Sequence, residues 1–414
     1  MKNTNYDIIT VGAGAAGLAA AISAKRNNRD LKIAILEAQS KAGKKILVTG
    51  NGRCNLTNTN VSKEFYHGSF DVSKILNRFS AEKLINFFST LGLVCDTETN
   101  GLVYPHSRQA SAVLDVLLME IKRLKIEIIC DCKVELIRKK GEFFNIKTSN
   151  GEYTAKKAVM SCGGKAFPTA GGTGLGLDVI KNLGHKITPL FPALCPIQVK
   201  SDFMKSLKGI RAKAAVTLYD GEKAIKSEIG EVQFTDYGLS GICIMQLSGL
   251  LAPGRSPKHP AVELDLFPAV PETELAALFA ARAPLLAEDT AAAFWLGLLH
   301  GKLGRALWAA AALPDTAPHA LPAGSWQKLA RTAKHWRFEG LTPCGWRQAQ
   351  TTGGGLALTE VEPTFQFKGC PGLYFVGETL DCAGSCGGFN LHWAFGSGLA
   401  AGRDAAKHLC NRKR

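Results

Sequence analysis

The feature that most constrains the fold of this chain is a glycine pattern directly after its first apolar segment. Residues 8–17 read Ile-Ile-Thr-Val-Gly-Ala-Gly-Ala-Ala-Gly, a Gly-x-Gly-x-x-Gly pattern between a predicted strand and a predicted helix. Gly12 permits a tight turn, Gly14 lets a diphosphate approach the backbone, and Gly17 lets the helix pack closely on the strand. The pattern predicts a helix N-terminus that binds the pyrophosphate of a dinucleotide.

A carboxylate at the end of the next predicted strand supports this interpretation. The strand covers 32–37 and ends at Glu37, twenty positions after Gly17. A carboxylate at this place can bond both hydroxyls of the adenosine ribose, and it disfavours the 2′-phosphate of NADP. With the predicted strand 6–11 and helix 15–27, it gives a βαβ opening of the Rossmann type, in the α/β fold class.

The C-terminal part of the chain indicates FAD rather than NAD. Residues 372–378 form a predicted strand that ends in Gly377 and Glu378, where flavoproteins with two dinucleotide-binding motifs hold the ribityl chain. A second helix is predicted to begin after Gly387 and Gly388. Its N-terminus can stabilise negative charge on a reduced flavin ring. An enzyme that uses only NAD has no need of this distant element, so we predict FAD as cofactor.

Changes of pattern along the 414 residues predict a discontinuous nucleotide-binding domain. Predicted β-segments occupy about 190–265, and predicted helices follow over about 270–335, among them one over 272–281 and one over 290–311. The strand-and-helix pattern of the N-terminal part then returns. We therefore expect an FAD-binding domain formed by 1–189 and 346–414, interrupted by an inserted substrate domain at 190–345.

Composition favours a globular protein with a basic surface. No apolar run reaches the roughly 18 residues that cross a bilayer, and the N-terminus lacks the apolar core of a signal peptide, so we expect a cytoplasmic protein. The 12 cysteines contain no Cys-x-x-Cys pair, and we expect no metal site. Lys and Arg number 50 against 35 Asp and Glu, a net charge of +15. Such an excess attracts polyanions such as RNA, although a solvated surface without a partner has the same composition.

Basic residues cluster in the predicted insertion. One group has a single acidic residue, Asp202, and comprises Lys200, Lys205, Lys208, Arg211 and Lys213. A second group has Trp336 and Trp346 interleaved and comprises Arg331, Lys334, His335, Arg337 and Arg347. Basic residues beside aromatic residues suit phosphate contact and base stacking, which makes RNA a candidate partner. A solvated basic face with partly buried tryptophans fits the same pattern.

A further segment is the most distinctive in the chain. Residues 43–58 read Gly-Lys-Lys-Ile-Leu-Val-Thr-Gly-Asn-Gly-Arg-Cys-Asn-Leu-Thr-Asn. With the segments 11–17, 352–355, 372–381 and 387–395, it makes the chain resemble the HI0933-like flavoproteins over nearly its whole length. The resemblance implies a glutathione-reductase-type FAD-binding domain, with an inserted β-barrel-like part and a helical part. It also implies an oxidoreductase that takes NAD(P)H as a transient reductant.

The resemblance implies which residues bind FAD. The ADP half is expected against Gly12, Gly14, Ala15, Ala16, Gly17, Glu37, Val134, Gly163 and Gly164. The pyrophosphate and flavin are expected along Lys45, Asn51, Arg53, Cys54 and Asn55. The ribityl chain and ring are expected at Gly377, Glu378, Gly388, Asn390 and Leu391. Cys382 and Cys386 depart from the small or polar residues that the family leads us to expect in this loop.

The family resemblance also implies reduction of an activated C=C bond. Such a reduction needs a hydride at the electron-poor carbon and a proton at its neighbour, so the protein must supply a proton donor. The candidates are Cys54, Tyr104 and His106. A packed thiol at Cys54 and an ordinary surface or capping histidine at His106 are the alternatives without a catalytic role.

Three functions are consistent with the sequence. The net charge of +15 and the basic insertion favour an FAD-dependent reductase that converts a uracil of ribosomal RNA into dihydrouridine. A small enone, such as an unsaturated oxo-bile acid, requires an apolar pocket, which the Ala- and Trp-rich region 275–312 permits. The third function is a non-catalytic RNA-binding factor with structural FAD. No second Gly-x-Gly-x-x-Gly lies in the insertion, so NAD(P)H is expected to visit only transiently.

Overall fold

A computed structural model describes residues 5–68, 71–172, 174–182, 184–254, 256–285 and 291–410. The chain divides into two compact units, which we call the first unit and the second unit. The first unit combines 1–192 with 349–414, and the second unit is the continuous segment 193–348.

The main sheet of the first unit is built around the strand that precedes the first glycine. Asn5–Val11 pairs in parallel with Ile33–Leu36 on one side and with Gly151–Met160 on the other. Ile33–Leu36 is apolar throughout and buried throughout, as expected for a parallel strand covered on both faces. Because parallel strands end at the same edge, the residues that follow them, Gly12 and Glu37, meet there.

The long strand Gly151–Met160 connects the N-terminal and C-terminal parts of this sheet. Its first half pairs antiparallel with Phe143–Thr148, which forms a hairpin with Val134–Lys140. Its second half pairs in parallel with Leu373–Phe375. The opposite edge of the sheet is Glu127–Ile129. The C-terminal strand therefore ends at the same edge as the strand that precedes Gly12.

Two helices of the first unit lie in close contact. Ala15–Asn27 follows the glycine turn, and Phe389–Cys410 is the last helix of the chain. A Cβ added at Gly398 would collide with the carbonyl oxygen of Ala16, so the backbones approach as closely as a glycine allows. This contact fixes the C-terminal helix beside the glycine motif.

The remaining elements of the first unit are short. Its other strands are Thr57–Asn58, Tyr66–Gly68, Cys95–Thr97, Leu102–Pro105, Thr351–Gly353 and Cys382–Gly384, with Phe191–Ala193 at the unit boundary. Its other α-helices are Lys44–Val48, Ser73–Leu76, Ala81–Ser89, Ala110–Arg123 and Leu175–Asn182. Its 3-10 segments are Thr49–Gly52, Lys63–Phe65, Pro168–Ala170, Leu358–Glu360 and Gly377–Thr379.

The second unit is a sheet with one face buried by helices. The strands in spatial order are Trp336–Phe338, Pro260–Asp265, Arg211–Asp220, Lys223–Phe234, Gly238–Ser240, Ile197–Gln198 and Thr342–Pro343. The α-helices are Met204–Leu207, Ile242–Ser248, Glu272–Arg282, Gly301–Ala310 and Ser325–Lys334. The 3-10 segments are Gly249–Leu251, Ala283–Leu285, Ala293–Trp295 and Pro318–Ala320. Alternate residues Ala214, Val216 and Leu218 are fully buried, as expected for a strand that covers a core on one face.

The single long helix predicted over 290–311 is wrong; its first residue lies outside the described residues. A 3-10 turn, Ala293–Trp295, is followed by a separate helix, Gly301–Ala310. Gly297, with a φ of 75°, lies between them in the left-handed region, where a helix cannot continue. The Ala-rich composition favoured a helix, and the glycine outweighed it.

Candidate functional site

A cleft lies at the edge of the main sheet where its parallel strands end. It encloses about 710 Å³, including the part open to solvent. The predicted site residues in its wall are Gly12, Gly14, Glu37, Lys45, Val134, Gly163 and Gly164. The structure thus brings together residues that are far apart in the sequence.

The three glycines of the first motif differ in what surrounds them. A Cβ at Gly12, whose φ is 101°, would lie only 2.7 Å from the carbonyl oxygen of Ser161. A Cβ at Gly17 would collide with the carbonyl oxygen of Gly12. At Gly14 a Cβ would meet nothing within 4 Å, so the backbone borders open space in the cleft. That space lies at the N-terminus of Ala15–Asn27, which has no acidic residue in its first turn, and it fits a diphosphate.

The Glu37 carboxylate is held by two backbone amides. Its Oε2 accepts a hydrogen bond from Ala13 N at 2.7 Å, and its Oε1 accepts one from Gln39 N at 2.8 Å. Each carboxylate oxygen keeps a further lone pair for another donor. A fixed acceptor that lines the cleft fits the hydroxyls of an adenosine ribose.

An ion pair joins the predicted pyrophosphate segment to the predicted ribityl segment. Lys45 Nζ lies 2.7 Å from Glu378 Oε2, and the two side chains are 30% and 19% exposed. Glu378 Oε1 accepts a hydrogen bond from Thr352 N at 2.8 Å. A Cβ at Gly164 would lie 2.9 Å from the same Oε1. Gly377, with a φ of 65°, packs against the buried Ala16.

The Gly-Asn-Gly-Arg-Cys loop has an unusual backbone. Gly50, Asn51, Gly52 and Cys54 have φ values of 55°, 55°, 79° and 56°. Non-glycine residues in this left-handed region cost on the order of 1–3 kcal/mol each, and such strain is concentrated at functional sites. Asn51 and Arg53 are exposed, whereas Cys54 is buried.

Side-chain hydrogen bonds connect the residues after this loop to the turn before the last helix. The Asn55 side-chain amide forms hydrogen bonds through both its oxygen and its nitrogen when the oxygen accepts from Gly388 N at 3.1 Å and the nitrogen donates to Thr57 O at 3.0 Å. Asn58 Nδ2 donates to Gly387 O at 3.1 Å. Two predicted flavin-site residues, Asn55 and Gly388, are therefore in direct contact.

The other predicted residues of this turn have mainly structural contacts. Asn390 bonds both backbone groups of Gly384, at 2.8 Å and 2.7 Å. Leu391 is half-buried. Cys382 is buried, and burial raises the pKa of its thiol well above the ordinary value, while Cys386 is half-buried. The thiol of Cys382 is therefore a packed group in this loop.

Cys54 is the most enclosed of the three proton-donor candidates. Its side chain is 0% exposed, and burial raises the pKa of its thiol to about 12. A thiol that is fully enclosed is not accessible to a substrate, whereas Tyr104 keeps 6% of its surface exposed. This environment is that of a packed thiol.

Tyr104 lies beside two guanidinium groups. Arg53 Cζ and Arg108 Cζ are 5.4 Å and 4.8 Å from the centroid of its ring, distances typical of cation–π contacts. The ring edge also approaches Gly50. Burial raises the pKa of the Tyr104 hydroxyl, while both arginines act in the opposite direction. The hydroxyl is therefore protonated at neutral pH.

His106 is a surface side chain. It is 73% exposed, and its Nδ1 lies 3.0 Å from Asp96 Oδ1. The neighbouring Arg108 pairs with Glu98 at 2.6 Å. The arrangement of His106 is that of a solvated ion-pair partner.

The first basic group of the second unit is exposed but partly paired. Lys208 lies 2.8 Å from Asp236, and Arg211 lies 3.0 Å from Glu231. The other members of the group are also exposed: Lys200, Lys205 and Lys213.

The second basic group does not form the surface that base stacking requires. Its ion pairs are Lys334–Asp265 at 2.8 Å, His335–Glu263 at 3.0 Å and Arg337–Glu222 at 3.4 Å. Trp336 is 5% exposed and packs on Phe203 and Phe234, so it cannot stack on a base, and the alternative of a buried tryptophan applies to it. The reason is that Trp336 lies on the inner face of its strand. Arg331 and Arg347 are exposed, and Trp346 is half-buried.

Two classes of site are absent from the described part of the chain. No helix there has both the length and the apolar character needed to cross a bilayer. No group of three or more His, Cys, Asp or Glu side chains is placed there to hold a metal ion.

Sequence reasoning missed several residues of the site. They are Thr57, Thr352 and His392. All three lie inside the distinctive segments 43–58, 352–355 and 387–395. Their position in these segments was the available signal, because their contacts are with residues remote in sequence.

Comparison with known proteins places this geometry among characterised folds. The family described as HI0933-like protein Rossmann domain matches residues 6–404. A 3-dehydro-bile acid delta(4,6)-reductase of Clostridium scindens is 34% identical over 402 residues, which are 96% of this chain and 98% of that protein. A ribosomal RNA dihydrouridine synthase of Escherichia coli (strain K12) is 27% identical over 406 residues, 96% of this chain and 98% of that protein.

A similar fold occurs in a solved structure. The 3-ketosteroid delta1-dehydrogenase from Sterolibacterium denitrificans superposes with a TM-score of 0.52 at 13% identity, over 98% of this chain and 100% of that one. At this identity the similarity concerns the fold.

Proposed function

The chain belongs to the HI0933-like family as an FAD-dependent oxidoreductase with a Rossmann-type domain, and we propose that it reduces the activated C=C bond of a small enone. Of the two curated relatives described above, the bile-acid reductase shares more identity, 34% against 27%. A 3-oxo steroid or steroid acid with a conjugated double bond is the substrate class that follows from this relative.

The observation that supports this proposal most directly is that the side chains of Tyr104 and Arg53 lie together. Arg53 belongs to the Gly-Asn-Gly-Arg-Cys loop, and the Asn55 side chain connects this part of the chain to the start of the last helix. Reduction of an enone adds a hydride at the β-carbon, moves the π electrons towards the carbonyl oxygen and adds a proton at the α-carbon. The protein must therefore offer a cation for the oxygen and an acidic hydroxyl for the carbon. These two side chains supply both.

Arg53 is suited to the carbonyl oxygen. Its Nε donates to Gly50 O at 3.4 Å, and no carboxylate of the described residues lies within ion-pair distance of it. Its charge is therefore available for a developing enolate oxygen. Arg108 is held by Glu98 and supports the Tyr104 ring from its own position.

Tyr104 is suited to the proton. Its hydroxyl stays protonated at neutral pH, whereas Cys54 is enclosed and His106 is engaged by Asp96 at the surface. We assign Tyr104 as the proton donor. The cations beside it stabilise the phenolate that remains after the proton has left.

FAD would bind along the cleft of the first unit and supply the hydride. Gly12, Gly14 and Glu37 would hold the ADP half, as the open space at Gly14 and the fixed Glu37 carboxylate support. Lys45 would neutralise a phosphate or ribityl oxygen, and Glu378 would accept from the ribityl hydroxyls. NAD(P)H is the proposed reductant.

A uracil of ribosomal RNA is the second candidate substrate. The exposed side chains of Lys200, Lys205 and Lys213 support it, as does the dihydrouridine synthase relative. Uracil also has a C=C bond conjugated to a carbonyl, so the same two side chains would serve. The burial of Trp336 and the pairing of Lys208 and Arg211 weigh against it.

An anaerobic turnover experiment tests the proposal. The FAD-loaded protein is reduced with NADH or NADPH and then mixed with a 3-oxo-4-ene steroid or with rRNA free of dihydrouridine. Return of the oxidised flavin spectrum with a gain of two mass units in the steroid is expected. If only the RNA reoxidises the flavin, and its uridine gains two mass units, then the substrate is the uracil of ribosomal RNA and not a small enone. If neither NADH nor NADPH reduces the flavin, the function that remains is that of a non-catalytic RNA-binding factor.

A further inference from the structure

A buried histidine lies in the first turn of the last helix. His392 is 0% exposed, and its backbone N donates to Gly388 O at 2.9 Å. Its ring Nδ1 lies 2.7 Å from the hydroxyl of Thr57, which is also 0% exposed. The histidine therefore contacts the segment that follows the Gly-Asn-Gly-Arg-Cys loop.

Besides the Thr57 contact, the imidazole has a hydrogen-bonding interaction with the Phe79 backbone. His392 Nε2 is fully enclosed, and the ring lies against the Phe79 ring at 5.5 Å between centroids. Burial lowers the pKa of His392 to about 4, so the imidazole is neutral.

The contacts of His392 form a closed circuit. The ring bonds Thr57, the Thr57 carbonyl accepts from the Asn55 amide, and the Asn55 amide accepts from Gly388 N. Gly388 O then accepts from the His392 backbone, which returns the circuit to the helix. Loop and helix start are thereby held in one register, because no member can shift without breaking a bond.

The circuit fixes the N-terminus of the helix Phe389–Cys410 beside residues that the family resemblance assigns to the flavin ring. A helix N-terminus stabilises nearby negative charge, and its effect falls off within the first turn. The effect on a bound group therefore depends on how firmly that turn is held. This dependence gives the histidine a role beyond packing.

We propose that His392 is a positioning residue, which holds the N-terminus of the last helix so that it stabilises the negative charge of reduced FAD. This inference rests on the proposed FAD-dependent function. Its consequence is a reduction potential of the bound flavin that is higher than the same protein would give without the circuit.

Variants of two residues separate positioning from packing. His392→Leu leaves the Thr57 hydroxyl buried without a partner, so both the free energy of unfolding and the flavin potential are expected to fall. In His392→Leu/Thr57→Val both polar partners are gone, and stability is expected to recover. The register is still lost, so the potential of the double variant is expected to stay more negative than that of the wild type. His392→Gln can bond Thr57 again and is expected to restore both quantities.

The readouts are the two-electron potential of bound FAD, by dye-coupled titration, and unfolding in urea. A double variant with the wild-type potential overturns the inference, since the histidine would then only pack. If His392→Leu does not fold, the double variant and His392→Gln still give the comparison. A wild-type protein that binds FAD but reduces no enone overturns the proposed function alone. A wild-type protein that binds no FAD overturns both.

Discussion

Lys45 Nζ and Glu378 Oε2 are 2.7 Å apart, although 333 residues separate them in the sequence. Their contact lies at the edge of the main sheet, where the chain after the N-terminal strands meets the turn after Leu373–Phe375. Ion pairs with this degree of exposure contribute about 0–1 kcal/mol to stability. We therefore expect the pair to contribute more to ligand binding than to the stability of the fold.

Removal of the lysine charge is expected to weaken FAD binding more than folding. Lys45→Met should raise the dissociation constant of FAD by about tenfold to a hundredfold, the worth of a charge-assisted hydrogen bond. The free energy of unfolding of the apoprotein should change by less than about 1 kcal/mol. Quenching of flavin fluorescence and urea unfolding give the two quantities. Equal losses in both would assign the lysine to stability.

Two glycine substitutions in one motif should fail in different ways. Gly14→Ala places its methyl group in open space, so the protein should fold normally and lose FAD affinity. Gly17→Ala drives a methyl group into the carbonyl oxygen of Gly12, and overpacking of this kind costs about 1–3 kcal/mol or more. Thermal unfolding of both apoproteins, followed by FAD titration, distinguishes them. Tight FAD binding by Gly14→Ala would contradict the diphosphate site.

Replacement of the ribose-facing carboxylate should be specific to the ADP half. Glu37→Gln keeps the size of the side chain but removes the charge, and we expect FAD affinity to fall by about 1.5–3 kcal/mol. Binding of FMN, which lacks the AMP part of FAD and hence the adenosine ribose, should be the same in variant and wild type. Glu135→Gln, at an exposed strand position, is the control. An equal loss for FAD and FMN would show that Glu37 acts through the fold.

The proton-donor assignment predicts a selective loss in one half-reaction. Tyr104→Phe should slow transfer to the enone by about 10²- to 10⁴-fold, while reduction of the flavin by NAD(P)H stays unchanged. Cys54→Ala and His106→Gln should stay within about tenfold of wild type. Stopped-flow spectroscopy resolves the two half-reactions. A larger loss in Cys54→Ala than in Tyr104→Phe would move the assignment to the thiol.

The pH dependence follows from the raised pKa of Tyr104. The donor must be protonated, and its pKa lies above the ordinary tyrosine value. The rate of enone reduction should therefore be level through neutral pH and fall only in the alkaline range above the ordinary tyrosine pKa. A decline that begins near neutral pH would contradict Tyr104 as the donor. The measurement is the enone half-reaction followed across pH at saturating substrate.

The parts of the site that could be predicted from the sequence are those that depend on local patterns. Gly12, Gly14, Gly17 and Glu37 were predictable because strand, turn and helix follow one another within about 30 residues, as in known βαβ units. Contacts such as Thr57 with His392 depend on how remote segments meet, and spacing does not encode this. The family resemblance supplied the remaining candidates, but not their contacts.

The errors also have physical causes. The alanines of 290–311 favour a helix, and the single Gly297 that interrupts it is a weak signal in such a background. Trp336 lies in a strand of three residues, Trp336–Phe338, which is too short to show its inward face by alternation. Basic neighbours therefore made a core residue resemble a stacking residue.

The interrupted first unit has a consequence for synthesis. Its sheet begins with Asn5–Val11 but gains Leu373–Phe375 and the helix Phe389–Cys410 only at the far end of the chain. During translation the N-terminal half must wait for these segments, with its sheet edge and the apolar face of its first helix uncovered, whereas the contiguous 193–348 can fold as soon as it leaves the ribosome. Until those C-terminal segments are made, we expect the N-terminal part of the first unit to expose apolar surface that the folded protein covers.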